Sequence, residues 1–104
     1  MAITKFPSAA VSADGRTLIR GAGANPTRDV LTIAIYGTTL GGGTASLLIS
    51  HQDSPSLSTA GDWATIDGCT SLALGTAYRI EVAGAAIAFY LTGSTSPSLT
   101  VAWS

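Results

Sequence analysis

The sequence predicts an all-β fold, a single-domain antiparallel β-sandwich of about seven or eight strands with jelly-roll-like connections, spanning residues 1–104. Three observations predict it. No segment repeats its apolar residues at the 3.6-residue period of an amphipathic helix. Short β-branched runs alternate apolar and polar positions instead. Those runs recur between turn-forming Gly, Pro, Asp and Asn residues, the spacing of a sandwich rather than of alternating strands and helices.

The best-defined runs flank Gly41, Gly42 and Gly43 within residues 29–51. Leu31, Ile33 and Ile35 fall on one side of the first ribbon, with Val30, Thr32, Ala34 and Tyr36 on the other. In the second, Ala45, Leu47 and Ile49 oppose a milder side of Ser46, Leu48 and Ser50. A one-residue slip inverts every side chain, so both richer faces reach one core only through an odd-length loop or a crossing to a second sheet. Three consecutive glycines make either route sterically easy.

Ahead of this pair, residues 3–6 read as a short strand or arm, and residues 11–19 hold Asp14-Gly15, the dipeptide of tight hairpin turns. Residues 21–26 are a loop that delivers the chain into the strand near Asp29. Residues 52–61 form a polar connector too long for a simple hairpin, which implies a crossing between sheets or an exposed functional loop. A short strand over residues 63–66 ends at Asp67-Gly68, and a weak run over 71–74 precedes Gly75. Residues 76–82 and 85–92 then read as a hairpin about Ala83-Gly84, with Ile80 facing Ile87 and Tyr78 facing Phe89. That register gathers the large apolar residues on one face and leaves Arg79 and Glu81 on the other. After a Ser/Thr/Pro turn, Leu99, Val101 and Trp103 alternate in a last strand.

Composition narrows the function classes. Charged residues are 11% of the chain, against about a quarter in average domains, while Ala, Gly, Ser and Thr make up more than half. So thin a core and so weakly solvated a surface favour burial against copies of the chain or a larger partner. With a net charge of −1 and basic residues scattered at Lys5, Arg16, Arg20, Arg28 and Arg79, there is no stripe for nucleic acid. No run approaches the length of a membrane span, so no membrane partner is expected. Cys69 is the one cysteine, which excludes an intrachain disulfide, and with one His it cannot complete a structural zinc site. It reads as a small apolar residue behind a turn.

No catalytic, cofactor or metal site is predicted. His51 and Asp53 fall on one side of a strand end, but no serine is fixed against them and no Gly-x-Ser-x-Gly elbow is present. Asp14 and Asp67 precede glycine and are accounted for by turns, Glu81 neighbours Arg79, and Asp29, Asp53 and Asp62 have no assigned role. Asp53 and Asp62 lack the dense ligand spacing of a calcium loop. Gly41–Gly43 lacks the Lys-Ser/Thr and helix of a phosphate loop. Among the aromatics, Tyr78 and Trp103 fit core faces, leaving Tyr36, Trp63 and Tyr90 as a contact surface for a protein or a glycan. Residues 1–12, with Ile3, Phe6 and Pro7 among small residues, read either as an N-terminal arm anchored by Phe6 on a partner or as the first strand.

The order Leu47-Leu-Ile-Ser, a Ser/Gly-rich connector, Gly61-Asp-Trp-Ala-Thr-Ile-Asp-Gly68, residues 78–82, Leu91-Thr-Gly-Ser and Pro97-Ser-Leu-Thr-Val101 resembles small all-β virion proteins of tailed bacteriophages, particularly capsid decoration or cement proteins. The likeness covers residues from about 29 to 103 and is one of strands and turns, so no individual site residue carries over. It implies a non-enzymatic protein on the outer capsid surface, a homotrimer that bridges subunits of the major capsid protein. A glycan-binding or adaptor module of a phage tail is the alternative. The partner-binding residues expected are Ile3, Phe6, Tyr36, Trp63 and Tyr90, of which Tyr36, Trp63 and Tyr90 are the candidates for a glycan.

Overall fold

The computed structural model describes residues 7–23 and 30–104. Eight strands form two four-stranded antiparallel sheets: β1 Ser8–Val11, β2 Gly15–Arg20, β3 Val30–Thr39, β4 Thr44–Ser50, β5 Ala64–Thr65, β6 Thr76–Glu81, β7 Ala86–Thr92 and β8 Ser98–Trp103. Sheet A runs β1-β8-β3-β6 and sheet B runs β2-β7-β4-β5. The sole helical element among the described residues is one 3-10 turn, Ala60–Asp62. Strand pairs β1–β8, β2–β7, β3–β6 and β4–β5 nest inside one another, as in a long hairpin folded at β4–β5 and rolled until β3 also meets β8 and β4 also meets β7.

The sheets face each other through the alternation expected for β3 and β8. Leu31, Ile33 and Ile35 from β3 and Leu99 and Val101 from β8 meet Leu47 from β4 and Ile87, Phe89 and Leu91 from β7 in one apolar cluster. The β3–β4 connection takes the second of its two permitted routes, crossing from sheet A to sheet B. Gly41 makes this possible: its φ is +69°, and an added Cβ would lie 2.5 Å from the Thr95 carbonyl oxygen. The Gly41 carbonyl accepts a bond from the Thr95 N–H at 2.9 Å, pinning the connection to the turn before β8.

Two expected hairpins are crossings instead. Ala83 and Gly84 do form a tight turn, both at positive φ, closed by the Ala85 N–H on the Val82 carbonyl at 2.8 Å. However, β6 joins sheet A and β7 joins sheet B, so Ile80 and Tyr78 are not cross-strand neighbours of Ile87 and Phe89. The apolar set still enters the core, now from opposite sheets. Asp14-Gly15 likewise turns the chain from β1 in sheet A to β2 in sheet B. In both places the chain bends at or beside the turn dipeptide, and the nested order sets the partners.

Of the segment 1–12, residues 8–11 are the edge strand β1, paired with β8 from Ser8↔Ala102 to Val11↔Leu99. Ile3 and Phe6 lie outside the described residues. Residues 71–74 form no strand, but Leu72 is buried and its N–H donates to the Ala45 carbonyl at 2.8 Å. Together with Ile66→Leu47 and Leu47→Cys69 bonds, this makes residues 66–72 an irregular continuation of β5 along β4.

Candidate functional site

The outer face of sheet A is floored by small residues. In adjacent strands, Ala102, Ala34 and Ala77 form one row, and Thr100 and Tyr36 start the next. Tyr36 stands out of this floor, 57% exposed, beside a shallow hollow of about 170 Å³ lined by Thr32, Ala34, Ala77, Ala102, Trp103 and Ser104. Its place depends on Gly37, whose φ is +145° and whose Cβ would fall 2.5 Å from Leu99 Cα. A register shift between Gly37 and Thr39 follows at once, so the strand turns away just beyond the ring.

The outer face of sheet B is covered along β4 and β7, while Leu18 at its β2 edge stays 43% exposed. Ser46, Leu48 and Ser50, expected on a milder side, are 6%, 5% and 3% exposed, and Ala86 and Ala88 beside them are fully buried. Part of the cover is the connection between β4 and β5. It reaches back over the sheet to β2, where Arg16 Nη1 donates to the Leu57 carbonyl at 3.2 Å. The Arg16 guanidinium lies 4.6 Å from the centroid of the Tyr90 ring, a cation–π contact on the same face.

That connection is built around Ser56. Its carbonyl accepts the Trp63 indole N–H at 2.8 Å and the Thr59 N–H at 3.2 Å. Its own N–H donates to Asp62 Oδ2 at 2.8 Å, which gives Asp62 a role that the sequence left open. Trp63, half-buried, therefore serves as an internal tie of the loop. Tyr90 is likewise half-buried under Arg16. The three aromatics expected on one contact surface are thus divided: Tyr36 is on the outer face of sheet A, while Tyr90 and Trp63 belong to the sheet B side. Alternation along each strand was legible, but the sheet each strand joins was not.

His51 and Asp53 are exposed where β4 ends, beside a depression of about 470 Å³ that also touches Ala22, Gly23 and the Ala83–Ala85 turn. The buried Ser50 hydroxyl there accepts the Gln52 N–H at 3.2 Å, a local strand-end bond. Among the described residues no three His, Cys, Asp or Glu side chains gather as a metal site. Cys69 is buried, and burial followed by the negative charge of Asp67 pushes its thiol above its ordinary range. It packs as a small apolar residue, as its turn position suggested.

Asp14 does more than turn the chain. Its Oδ1 accepts both the Ser94 N–H, at 3.1 Å, and the Ser94 hydroxyl, joining the β1–β2 turn to the β7–β8 turn. Hydrogen bonds from the Ser94 hydroxyl and backbone hold its carboxyl below the usual range. Asp-Gly read locally hid this contact, which spans most of the chain. No family model matches the chain, and neither a curated protein nor a solved structure was found to match it.

Proposed function

We propose that this protein is a non-enzymatic virion structural protein, a homo-oligomeric decoration protein that binds the outer surface of a capsid through the outer face of sheet A. One observation supports the docking face above others: Tyr36 is 57% exposed on a floor of Ala and Thr, while the middle of the opposite face, along β4 and β7, is buried. A flat floor of short side chains lets a partner approach the backbone closely, and a single tyrosine supplies contact area at low conformational cost. The nested strand order supports a jelly-roll reading, an architecture that viral capsid and lectin domains share. This support is fold-level analogy, as is the likeness to cement proteins, which implies a trimer and the major capsid protein as partner.

The hollow beside Tyr36 favours a second reading, a tail module that stacks a sugar ring on this tyrosine. Copy number separates the two. A decoration protein is present at on the order of hundreds of copies per purified head, because symmetry repeats its site over the shell. A few copies per particle, together with carbohydrate binding that Tyr36→Ser abolishes, would overturn the capsid reading.

A further inference from the structure

Among the described residues the sandwich has four sheet edges, and three of them are blunted. β1 is four residues long and follows Pro7. β5 has two residues and continues irregularly, and β2 carries a register shift between Leu18 and Arg20. Short, bulged or proline-flanked edges discourage pairing with another chain. β6 is neither short, bulged nor proline-flanked, pairing with β3 residue for residue from Ile35↔Thr76 to Val30↔Glu81, and its two edge charges, Arg79 and Glu81, are of opposite sign. Among the described residues no strand lies on its other side.

The hydrogen-bonding phase of that edge follows from β3. Thr32 exchanges both backbone bonds with Ser104, so even-numbered residues of β3 turn their N–H and C=O groups toward β8 and odd-numbered ones toward β6. The Gly75 N–H donating to the Ile35 carbonyl at 2.7 Å agrees with this phase. In β6, Thr76, Tyr78 and Ile80 therefore face β3, and Ala77, Arg79 and Glu81 direct their backbone groups to the open edge. The side chains of Arg79 and Glu81 are exposed on the outer face of sheet A.

We infer that the partner of this edge is β6 of a second copy of the chain, running antiparallel with Ile80 opposite Ile80 of the partner subunit. Charge complementarity favours this register, the one two-fold centre within β6 that sets Arg79 opposite Glu81. A two-fold centred on Arg79 sets that arginine opposite its own copy, and one centred on Glu81 does the same with the glutamate; like charges directly opposite are destabilising. Centring on Ile80 places Arg79 opposite the partner's Glu81 and Glu81 opposite the partner's Arg79. Both pairs then use backbone groups that point outward, so each pair exchanges both of its hydrogen bonds. The contact is isologous and closes on itself, and it joins two copies of sheet A into one eight-stranded sheet. It stands independently of what the outer face of sheet A binds.

Sedimentation of the full chain at high micromolar concentration tests it. The expected mass is an even number of chains, two or, where a three-fold contact also forms, six. Arg79→Glu and Glu81→Arg should each raise the dissociation constant on the order of tenfold or more by setting like charges opposite each other. At concentrations low enough to dissociate the wild type as well, their melting temperatures should match the wild-type value, because both side chains are exposed. Mixing the two variants restores association, since each presents the sign that the other lacks. A wild-type monomer or simple trimer, single variants that associate as wild type does, or a mixture that stays apart overturns the inference. A simple trimer that coats heads would refute the β6 contact and leave the capsid reading standing; an even assembly absent from heads would do the reverse.

Discussion

The two outer faces of the sandwich begin from similar strands and end in opposite states. Sheet A shows Ala34, Ala77, Ala102 and Thr100 around a projecting Tyr36. Sheet B has Ala86, Ala88, Ser46 and Leu48 in the equivalent outward positions, yet these are buried. The difference lies largely in one connection: the β4–β5 segment returns over its own sheet, and Arg16 clasps it at Leu57. Small outward residues are thus permissive. They accept a covering layer, which on sheet B comes in part from the same chain and on sheet A is absent among the described residues.

The strongest way to break this contrast is to place a charge on each face. Ala88→Asp should destabilise the fold by roughly 3–5 kcal/mol, because the carboxylate is buried without a counter-charge. Ala77→Asp, on the exposed sheet A face, should cost within about 0.5 kcal/mol. Chemical denaturation of the two variants decides it, and equal losses would erase the distinction between the faces.

Arg16→Ala comes next. It removes the cation–π contact with Tyr90 and the bond to the Leu57 carbonyl, together about 1–2 kcal/mol. Proteolysis should then cut the loop between Gln52 and Gly61 faster than in the wild type, while hydrogen exchange in β3 and β8 is unchanged in order.

A smaller effect is expected at Asp14, and pH reveals it. Its folded carboxyl titrates below the ordinary value of 3.8, so the Ser94 bonds contribute in full above that pH and are lost as pH falls through the lower folded value. Asp14→Asn should therefore melt below the wild type at neutral pH, with the gap shrinking as pH drops under 3.8. A gap that stays constant into strong acid would show that the carboxylate is not responsible.

The least stability change is expected for Tyr36→Ser, whose ring is mostly in solvent. Its melting temperature should match the wild type within a degree or two, whereas binding to heads should fall. A large loss of stability would mean that the ring supports the sheet rather than a partner.

The sequence made the strands legible wherever alternation and burial agree, as in Leu31-Ile33-Ile35 and Leu99-Val101. It made turn positions legible too, including Ala83-Gly84. What it could not supply was the sheet that each strand joins. A tight turn fixes only four residues of backbone, and the same turn serves a hairpin or a crossing; the choice for β6 and β7 is made by β3, β2 and β4, which compete for their edges. The same blindness set Tyr36, Trp63 and Tyr90 on one surface. Trp63 as a loop tie had a faint signal in Ser56 and Asp62 within the same connector, both polar groups able to close a compact loop.

Nested pairing also dictates how the chain can find its structure in time. The innermost pair brings Ile49 to Ala64, a short closure, whereas the outermost brings Ser8 to Ala102 and encloses nearly every residue between. Closing the outer pair first would cost more loop entropy, by about 0.6 kcal/mol for each doubling of the enclosed length, before any contact rewards it. Assembly from the β4–β5 tip outward avoids that cost, because each pair shortens the loop that the next must close. Pairing dominated by such distant partners belongs to the class that folds in about milliseconds to seconds. The segment that seals sheet B is then also the starting point, so changes near Ile49 and Ala64 act on the folding rate, and changes in β1 act chiefly on the rate of unfolding.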